Sequence, residues 1–302
     1  MTLQASGQIS LDDIHVEAGG TTGTEVKLND PDVKFIIKAR NNNTGFDDYY
    51  GGDANRPSAT HLTHSSGSGF FDEFINVNVT LGSGTKLVVV CYAHNGFKKV
   101  NNQKVAASAN SFCNLGNNAM TLACRARGTN TTGVAGQGTY ADEILDVGIY
   151  YLETTLTGNI TVSGDGGGRP CMTSVYVINN YTSATPYTTD TETNTDVNTL
   201  ENIVVASQKT GVTIGVAMLP NPDTNHGNVG QEGNYILRVP YSLGYPVDEI
   251  KSKSGQTNIT GTRSMATWKD EYTPLADQTY QAKGTDAVAS AIPISIATAS
   301  FK

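Results

Sequence analysis

The chain has 302 residues, of which 16% are charged and many are Gly, Thr or Asn, a composition typical of a large, mainly β protein. A formal net charge of −8 at pH 7 and a pI near 5.1 argue against a nucleic-acid surface, where Lys and Arg would cluster. No run approaches the roughly 18 apolar residues of a membrane span, and the N-terminus lacks the basic and apolar regions of a secretory signal.

The first predicted element is a short helix over about residues 11–18, which begins with a capping box. In this motif the hydroxyl of Ser10 accepts a hydrogen bond from the backbone N–H three residues on, and the carboxylate of Asp13 accepts one from the N–H of Ser10. The helix places Ile14 in its apolar face and ends at the glycine pair that begins with Gly19.

The rest of the first fifty residues predicts a strand, a second helix and an aromatic segment. In residues 24–28 polar and apolar side chains alternate as in a brief strand. Pro31 favours the first turn of a second helix, whose apolar stripe includes Val33 and Ile36. Residues 45–51 carry aromatic side chains that would cover these stripes. The sequence therefore predicts a small α/β module over residues 1–52.

The N-terminal region also resembles a known family. Its relevant segments are GQISLDDIHVEAGG at residues 7–20, LND at residues 28–30 and FDDYYG at residues 46–51. In this order they resemble an N-terminal module of structural proteins of tailed bacteriophages, especially those of marine and cyanobacterial phages. In that family the module is an attachment piece joined to unrelated downstream domains, many of them associated with tail fibres or baseplates. The resemblance implies a component of the virion.

The sequence that follows the module predicts a linker and then many strands. Residues 53–70 are rich in Gly, Ser, Thr, Asn and His, which indicates a linker or an extended surface segment. Phe74–Leu81 alternates like a half-buried strand, and Lys86–Ala93 is a continuous apolar run typical of a central strand. Residues 202–219 look like two strands paired as a hairpin.

Roughly ten to twelve strands without intervening helices predict two packed antiparallel sheets in residues 71–302. An apolar strand after Gly-Thr-Lys, a Tyr-rich segment at residues 149–152 and the closing segment at residues 295–301 resemble jelly-roll domains of phage and environmental surface proteins. The expected fold class is therefore mainly β, with a small α/β attachment module followed by a jelly-roll-like antiparallel β-sandwich.

No catalytic or metal-binding pattern stands out. His61-x-x-His64 needs a third ligand and is interpreted as solvated. The acids in residues 47–53, at Asp165 and in residues 190–196 do not match a calcium loop and are interpreted as solvated turn acids. The four cysteines lack metal-ligand spacing and are expected to be reduced thiols. We expect no enzymatic activity, cofactor or metal, with calcium in an acidic loop and paired carboxylates for glycoside hydrolysis as alternatives.

Three functions compete on this reading. The first is a tail fibre, baseplate or neck appendage of a tailed-phage virion, a homotrimer or other homo-oligomer assembled in the host cytoplasm. The second is a capsid decoration protein, and the third is a domain that binds host-surface polysaccharide. In the first, the module has little core of its own and another virion protein covers its apolar side chains, without nucleic acid or membrane insertion. The candidate docking residues are Ile9, Ile14, Val16, Val33, Ile36, Phe46, Tyr49 and Tyr50.

Overall fold

The computed structural model is dominated by antiparallel β-strands. It describes residues 9–17, 20–25, 27, 57–66, 74–95, 97–100, 103–106, 112–129, 144–165, 169–194, 201–205, 211–220, 235–238, 249–254, 263–271, 278–284 and 294–302. The elements within them are α1 (Leu11–Glu17), β1 (Ser58–Ser66), β2 (Phe74–Leu81), β3 (Lys86–Asn95), β4 (Phe97–Val100), β5 (Gln103–Ala106), β6 (Phe112–Leu115), β7 (Asn118–Ala119), β8 (Thr121–Thr129), β9 (Ile144–Thr154), β10 (Gly158–Asp165), β11 (Arg169–Asn179), β12 (Thr188–Asn194), β13 (Glu201–Val205), β14 (Val212–Pro220), β15 (Tyr235–Arg238), β16 (Glu249–Ser254), β17 (Arg263–Asp270), β18 (Gln278–Gly284) and β19 (Ile294–Phe301).

The strands of the first half, β1 to β11, form two main sheets. Sheet A has the strand order β1-β11-β3-β9-β8, and sheet B has the order β2-β10-β6-β7. Strands β4 and β5 form a separate hairpin between β3 and β6. Strands far apart in sequence are therefore neighbours in space, as β1 and β11 are, and the chain wraps from one sheet to the other as it advances.

The second half, β12 to β19, repeats this strand order. Sheet C has the order β12-β19-β14-β17-β16, and sheet D has the order β13-β18-β15. Sheets A and C correspond strand by strand: β1 to β12, β11 to β19, β3 to β14, β9 to β17 and β8 to β16. The main part of sheet B corresponds to sheet D in the same way: β2 to β13, β10 to β18 and β6 to β15. The two halves of the chain therefore share one topology.

Sheet A lies between sheets B and C and has a hydrophobic core on each face. On one face, side chains such as Val88 and Val90 of β3 pack with Val77 and Val79 of β2 in sheet B. On the other face, Val89 and its neighbours pack with the inward side chains of sheet C. The members of that second core in sheet C are Val212, Ile214, Val216, Met265, Ala297, Ala299 and Phe301.

The two-sided burial of sheet A confirms the interpretation of Lys86–Ala93 as a central strand. Every residue of Leu87–Ala93 is fully buried, and β3 is the middle strand of the five. A strand covered on both faces gains from apolar side chains at every position, which explains the absence of alternation. The alternating strand β2 has the opposite pattern, because only one of its faces is buried.

The mainly antiparallel β architecture agrees with the sequence, but the prediction of two sheets was an undercount. Sheet D contacts β14 and β19 of sheet C. The side chains on the face of sheet C that points away from sheet A are also fully buried, for example Ala217, Trp268 and Ile296. The four large sheets therefore stack in the order B, A, C, D. The predicted hairpin at residues 202–219 is also wrong, because β13 pairs with β18 whereas β14 pairs with β17 and β19.

Part of the predicted linker is a strand of sheet A. Residues 58–66 form β1, which pairs with β11 from Ser58 opposite Asn179 to Ser66 opposite Met172. The β-rich part of the chain therefore begins before residue 71. The error arose because β1 is an edge strand that is mostly polar, with Ala59 buried and His61, Leu62 and Thr63 half-buried.

Candidate functional site

The capping box predicted at the start of α1 is present. The backbone N–H of Asp13 donates to Ser10 Oγ at 3.1 Å, and the N–H of Ser10 donates to Asp13 Oδ2 at 2.8 Å. The hydroxyl of Ser10 also donates to the same carboxylate oxygen at 2.6 Å. These bonds, first the one from the Ser10 side chain and then the one from its backbone, lower the pKa of Asp13. The reciprocal pair fixes where the helix begins.

A tight turn follows α1 and returns the chain to the helix. The N–H of Gly20 donates to the carbonyl oxygen of His15 at 2.9 Å, and His15 Nε2 lies 2.6 Å from Thr24 Oγ1. A Cβ atom at Gly20 would overlap the imidazole ring of His15, so a larger residue at this position would displace the ring. The N–H of Gly23 donates to Asp12 Oδ1 at 2.9 Å. The side chain of His15 therefore organises the turn as well as lying on the polar side of the helix.

The strand predicted at residues 24–28 is not formed in the part that the structure describes. Thr24, Glu25 and Lys27 have no strand pairing, and Thr24 instead closes a turn with Thr21 through both its N–H and its hydroxyl. Gly23 adopts a φ of 80°, which glycine accommodates without strain. The turn replaces the strand because these local bonds satisfy the backbone without a partner strand.

The structure divides the predicted docking residues into three groups. Ile14 is fully buried within the chain, so it is not an open contact. Val16 is 37% exposed, which is high for a large apolar side chain, and Ile9 is half-buried. The remaining predicted docking residues lie outside the described residues, and they are Val33, Ile36, Phe46, Tyr49 and Tyr50.

A second cluster of functional groups lies where sheet A meets sheet C. Tyr176 Oη lies 2.8 Å from Thr267 Oγ1, and Thr267 Oγ1 donates to Ser174 Oγ at 3.1 Å. His61 Nε2 lies 3.0 Å from Ser174 Oγ. Ser174, Tyr176 and Thr267 are all fully buried. The Ser174 hydroxyl is therefore buried in the junction, whereas its partner His61 is only half-buried.

The neighbouring ion pair extends this cluster along the same junction. Glu271 Oε1 accepts from the N–H of Ala59 at 2.9 Å and lies 3.2 Å from Lys269 Nζ. Lys269 also donates to the carbonyl oxygen of Ala59. Because Ala59 belongs to β1, Lys269 belongs to β17 and Glu271 directly follows β17, these bonds tie an edge strand of the first half to the second half. The cluster is a structural junction between the halves.

The sequence pair His61-x-x-His64 has an unexpected geometry. The register of β1 shifts between His61 and Thr63, so that His61 lies opposite Tyr176 and His64 lies opposite Ser174. This β-bulge places two histidines three residues apart on one face, and their ring centroids are 5.6 Å apart. His64 is exposed, as predicted, but His61 is half-buried and bonded to Ser174, so its interpretation as solvated is wrong.

A buried carboxylate joins three strands at the other side of sheet A. Asp146 on β9 is fully buried, and Arg125 Nε on β8 donates to both of its oxygens at 2.8 and 3.0 Å. Tyr92 Oη donates to Asp146 Oδ1 at 3.2 Å, and His94 Nε2 lies 3.4 Å from Oδ2. Burial lowers the pKa of Arg125, but the bonds with Asp146 and the charges of Asp146, Tyr92 and Tyr150 together raise it, and the net shift is upward. Sequence reasoning missed this cluster.

The thiols of Cys91 and Cys124 are unsuited to catalysis. Cys91 and Cys113 are buried, Cys124 is half-buried, and none of these three forms a disulfide. Burial, then the nearby Asp190, raises the pKa of Cys124 to about 12, and burial raises that of Cys91 well above its ordinary value. Such thiols stay protonated at neutral pH and are poor nucleophiles and poor metal ligands.

Within the described ranges, no three or more His, Cys, Asp or Glu side chains come together in a way that would hold a metal ion. The acids predicted as calcium alternatives in residues 47–53 lie outside those ranges. The same part of the chain contains no helix that is long and apolar enough to cross a membrane. No protein-family model, curated protein or solved structure matches the chain.

Proposed function

We propose that the chain is a structural component of a tailed-phage virion, most simply a tail fibre, baseplate or neck appendage attached through residues 1–52. The observation that carries this proposal is the strand order of the two halves, which we interpret as two consecutive jelly rolls. Jelly rolls have eight strands wound as two Greek keys and are common in viral capsid and lectin domains. The resemblance of the N-terminal segment to phage attachment modules points to the same class of protein.

The pairing of the first half supports the jelly-roll interpretation. In a jelly roll a long hairpin is folded over, so the first strand pairs with the eighth, the second with the seventh and the third with the sixth. Here β1 pairs with β11, β2 with β10 and β3 with β9. The fourth strand, β6, pairs with β7, which leads directly into β8. The two sheets then form the opposed faces of the roll, with a hydrophobic core between them.

The second half supports the same interpretation. Strand β12 pairs with β19, β13 with β18 and β14 with β17. Strand β16 lies beside β17, as β8 lies beside β9 in the first half. A subunit made of two such rolls, packed through sheets A and C, presents a rigid body whose polar clusters act as internal ties. Rigidity of this kind suits a particle component that must keep its shape.

The attachment itself requires an apolar surface on the N-terminal module. Val16 is the described docking candidate that is open to solvent, whereas Ile14 is used within the chain. A module of about fifty residues rarely has enough core to be stable alone, so a partner that covers its exposed apolar groups would stabilise it. We propose a second virion protein as this partner, in a homotrimeric or other homo-oligomeric assembly.

The proposal is tested on virus particles purified from a culture that produces the chain. Peptide mass spectrometry should find the chain in the particle band of a density gradient, and immunogold labelling should place it on the tail. Labelling of the head facets would instead support a capsid decoration protein. A chain lacking residues 1–52 should remain folded but be absent from particles. Absence of the full-length chain from purified particles would overturn the proposal.

A further inference from the structure

The outward face of sheet B carries an array of amide and hydroxyl side chains. On β2 the inward residues such as Ile75 and Val77 are buried, so the alternate residues point outward. Their cross-strand partners on β10 and β6 point outward as well, through the registers Asn159 with Thr80 and Ser163 with Asn114. We call this set the amide–hydroxyl face, and its members are Asn76, Asn78, Thr80, Asn114, Asn159, Thr161 and Ser163.

The seven residues of the amide–hydroxyl face are uncharged. At the 16% of charged residues in the whole chain, a set of this size would contain about one charge. Asp165 takes the next alternate position on β10 after Ser163, opposite Phe74 of β2 and Phe112 of β6. The amide–hydroxyl face is therefore a neutral set of side chains with one acidic residue at its border.

The side chains of this face have the chemistry that recognises sugar hydroxyls. Asn, Ser and Thr each donate and accept hydrogen bonds, as do the hydroxyls of a sugar. The hydroxyl of Thr161 donates a hydrogen bond to Asn78 Oδ1 at 2.7 Å, which orients the amide N–H groups of Asn78 so that they can donate hydrogen bonds to a ligand. Neighbouring strands lie about 4.8 Å apart and alternate residues about 6.7 Å apart, a spacing on the scale of one hexose unit. Phe112, 50% exposed, lies at the β6 border of the face and offers an aromatic ring for a sugar to stack on.

The same composition disfavours other partners. Protein–protein hot spots are built around Trp, Tyr and Arg, which are missing from the amide–hydroxyl face. Nucleic acids and anionic polysaccharides require Lys or Arg, which this face also lacks. We propose that the amide–hydroxyl face binds a neutral polysaccharide. This inference concerns the first half of the chain and does not depend on the proposed virion role.

The test is affinity gel electrophoresis of the full-length protein through gels that contain dextran, yeast mannan or barley β-glucan, with alginate as the anionic comparison. The test variant is N78A/T161V, and the matched control is T189V, since Thr189 is an exposed threonine on β12 in the second half. Loss of two hydrogen-bonding groups should weaken retention by at least one neutral polysaccharide roughly tenfold. The control should change retention by less than about twofold, and both variants should keep the parent melting temperature.

Three results would overturn the proposal. These are no retention by any of the three neutral polysaccharides, retention by alginate alone, and equal retention of the parent and N78A/T161V proteins. If N78A/T161V melts early, the single variant T161V replaces it, because valine keeps the shape and strand preference of threonine. Retention by a neutral polysaccharide that falls in the test variant and persists in T189V supports the proposal. Particle mass spectrometry tests the virion role separately, so either idea can fail alone.

Discussion

Replacement of the buried carboxylate of Asp146 is expected to be the most damaging single change in the first half. The variant D146A removes the acceptor of three Arg125 bonds and one Tyr92 bond, and it takes away the carboxylate oxygen that lies 3.4 Å from His94 Nε2. The Arg125 guanidinium, whose side chain is only 15% exposed, would then lose its counter-charge at a site largely shielded from water. The three strands that converge here, β3, β8 and β9, would lose a common tie.

The size of the effect follows from the burial of the pair. Removing one partner of a buried ion pair typically costs 3–5 kcal/mol, because the other charge is left without compensation. We therefore expect D146A to lower the free energy of unfolding by about 3–5 kcal/mol. D146N keeps the shape and one acceptor oxygen, so its loss should be smaller. The matched control is E25A, which removes a pair 3.9 Å long whose side chains are 74% and 87% exposed and should cost less than about 1 kcal/mol.

Urea denaturation followed by tyrosine and tryptophan fluorescence and by circular dichroism measures these differences. The slope of the free energy against urea should stay unchanged if the native and unfolded states keep their compactness, so the midpoint reports stability. A loss of less than about 1 kcal/mol for D146A, or an equal loss for E25A, would show that the cluster does not hold these strands together.

Three further predictions concern other sites. G215V should lower the free energy of unfolding by about 3 kcal/mol or more, because a side chain at this position overlaps the buried indole of Trp268. The control G82V should cost less than about 1 kcal/mol, because nothing lies within 4 Å of a Cβ atom there. Denaturation midpoints measure both costs, and equal costs would contradict the packing argument. S10A should raise the pKa of Asp13 in an NMR titration. A carboxyl group whose pKa is lowered in the folded protein stabilises the fold at pH values above its ordinary pKa near 4, and this stabilisation is lost as the pH falls through the folded pKa. The helix of S10A should therefore be less resistant to acid, and an unchanged pKa of Asp13 would refute the capping role. Cys91 and Cys124 should resist iodoacetamide at pH 8 in the native protein and react after unfolding, as peptide mapping would reveal. A pKa of about 12 leaves only about one Cys124 thiolate in ten thousand at this pH, and burial raises the pKa of Cys91 in the same direction; rapid native labelling would contradict the prediction.

Local patterns in the sequence were enough to predict several elements. The capping box depends on residues three apart, and it forms as expected between Ser10 and Asp13. The alternation of Phe74–Leu81 and the unbroken apolar run at Lys86–Ala93 each report how many faces of a strand are buried. These predictions succeed because the cause lies within the segment itself.

Features that depend on distant residues were not predicted. Strand β1 reads as a polar linker, and only its pairing with β11, more than one hundred residues later, makes it a strand. The Asp146 cluster draws residues from three strands, and nothing in its local sequence shows that these acids and bases converge. For the docking residues, the sequence identified apolar positions but could not separate the internal Ile14 from the exposed Val16. Burial of that kind is decided by tertiary packing.

The second half repeats the strand order of the first, so the sequence predicts one sandwich over residues 71–302 where the structure has two similar halves. Each half has a sheet buried on both faces, A in the first and C in the second, and these two sheets pack against each other. Each half has a glycine opposite a large aromatic residue on the neighbouring strand. In the first half Gly148 of β9 lies opposite Tyr92 of β3, and in the second half Gly215 of β14 lies opposite Trp268 of β17. The glycine and the aromatic residue have therefore exchanged strands between the halves. In each case the ring occupies the space that a side chain on the glycine would need. The same steric solution therefore serves both halves through different residues, so the duplication is visible in strand order and packing and not in the residues themselves.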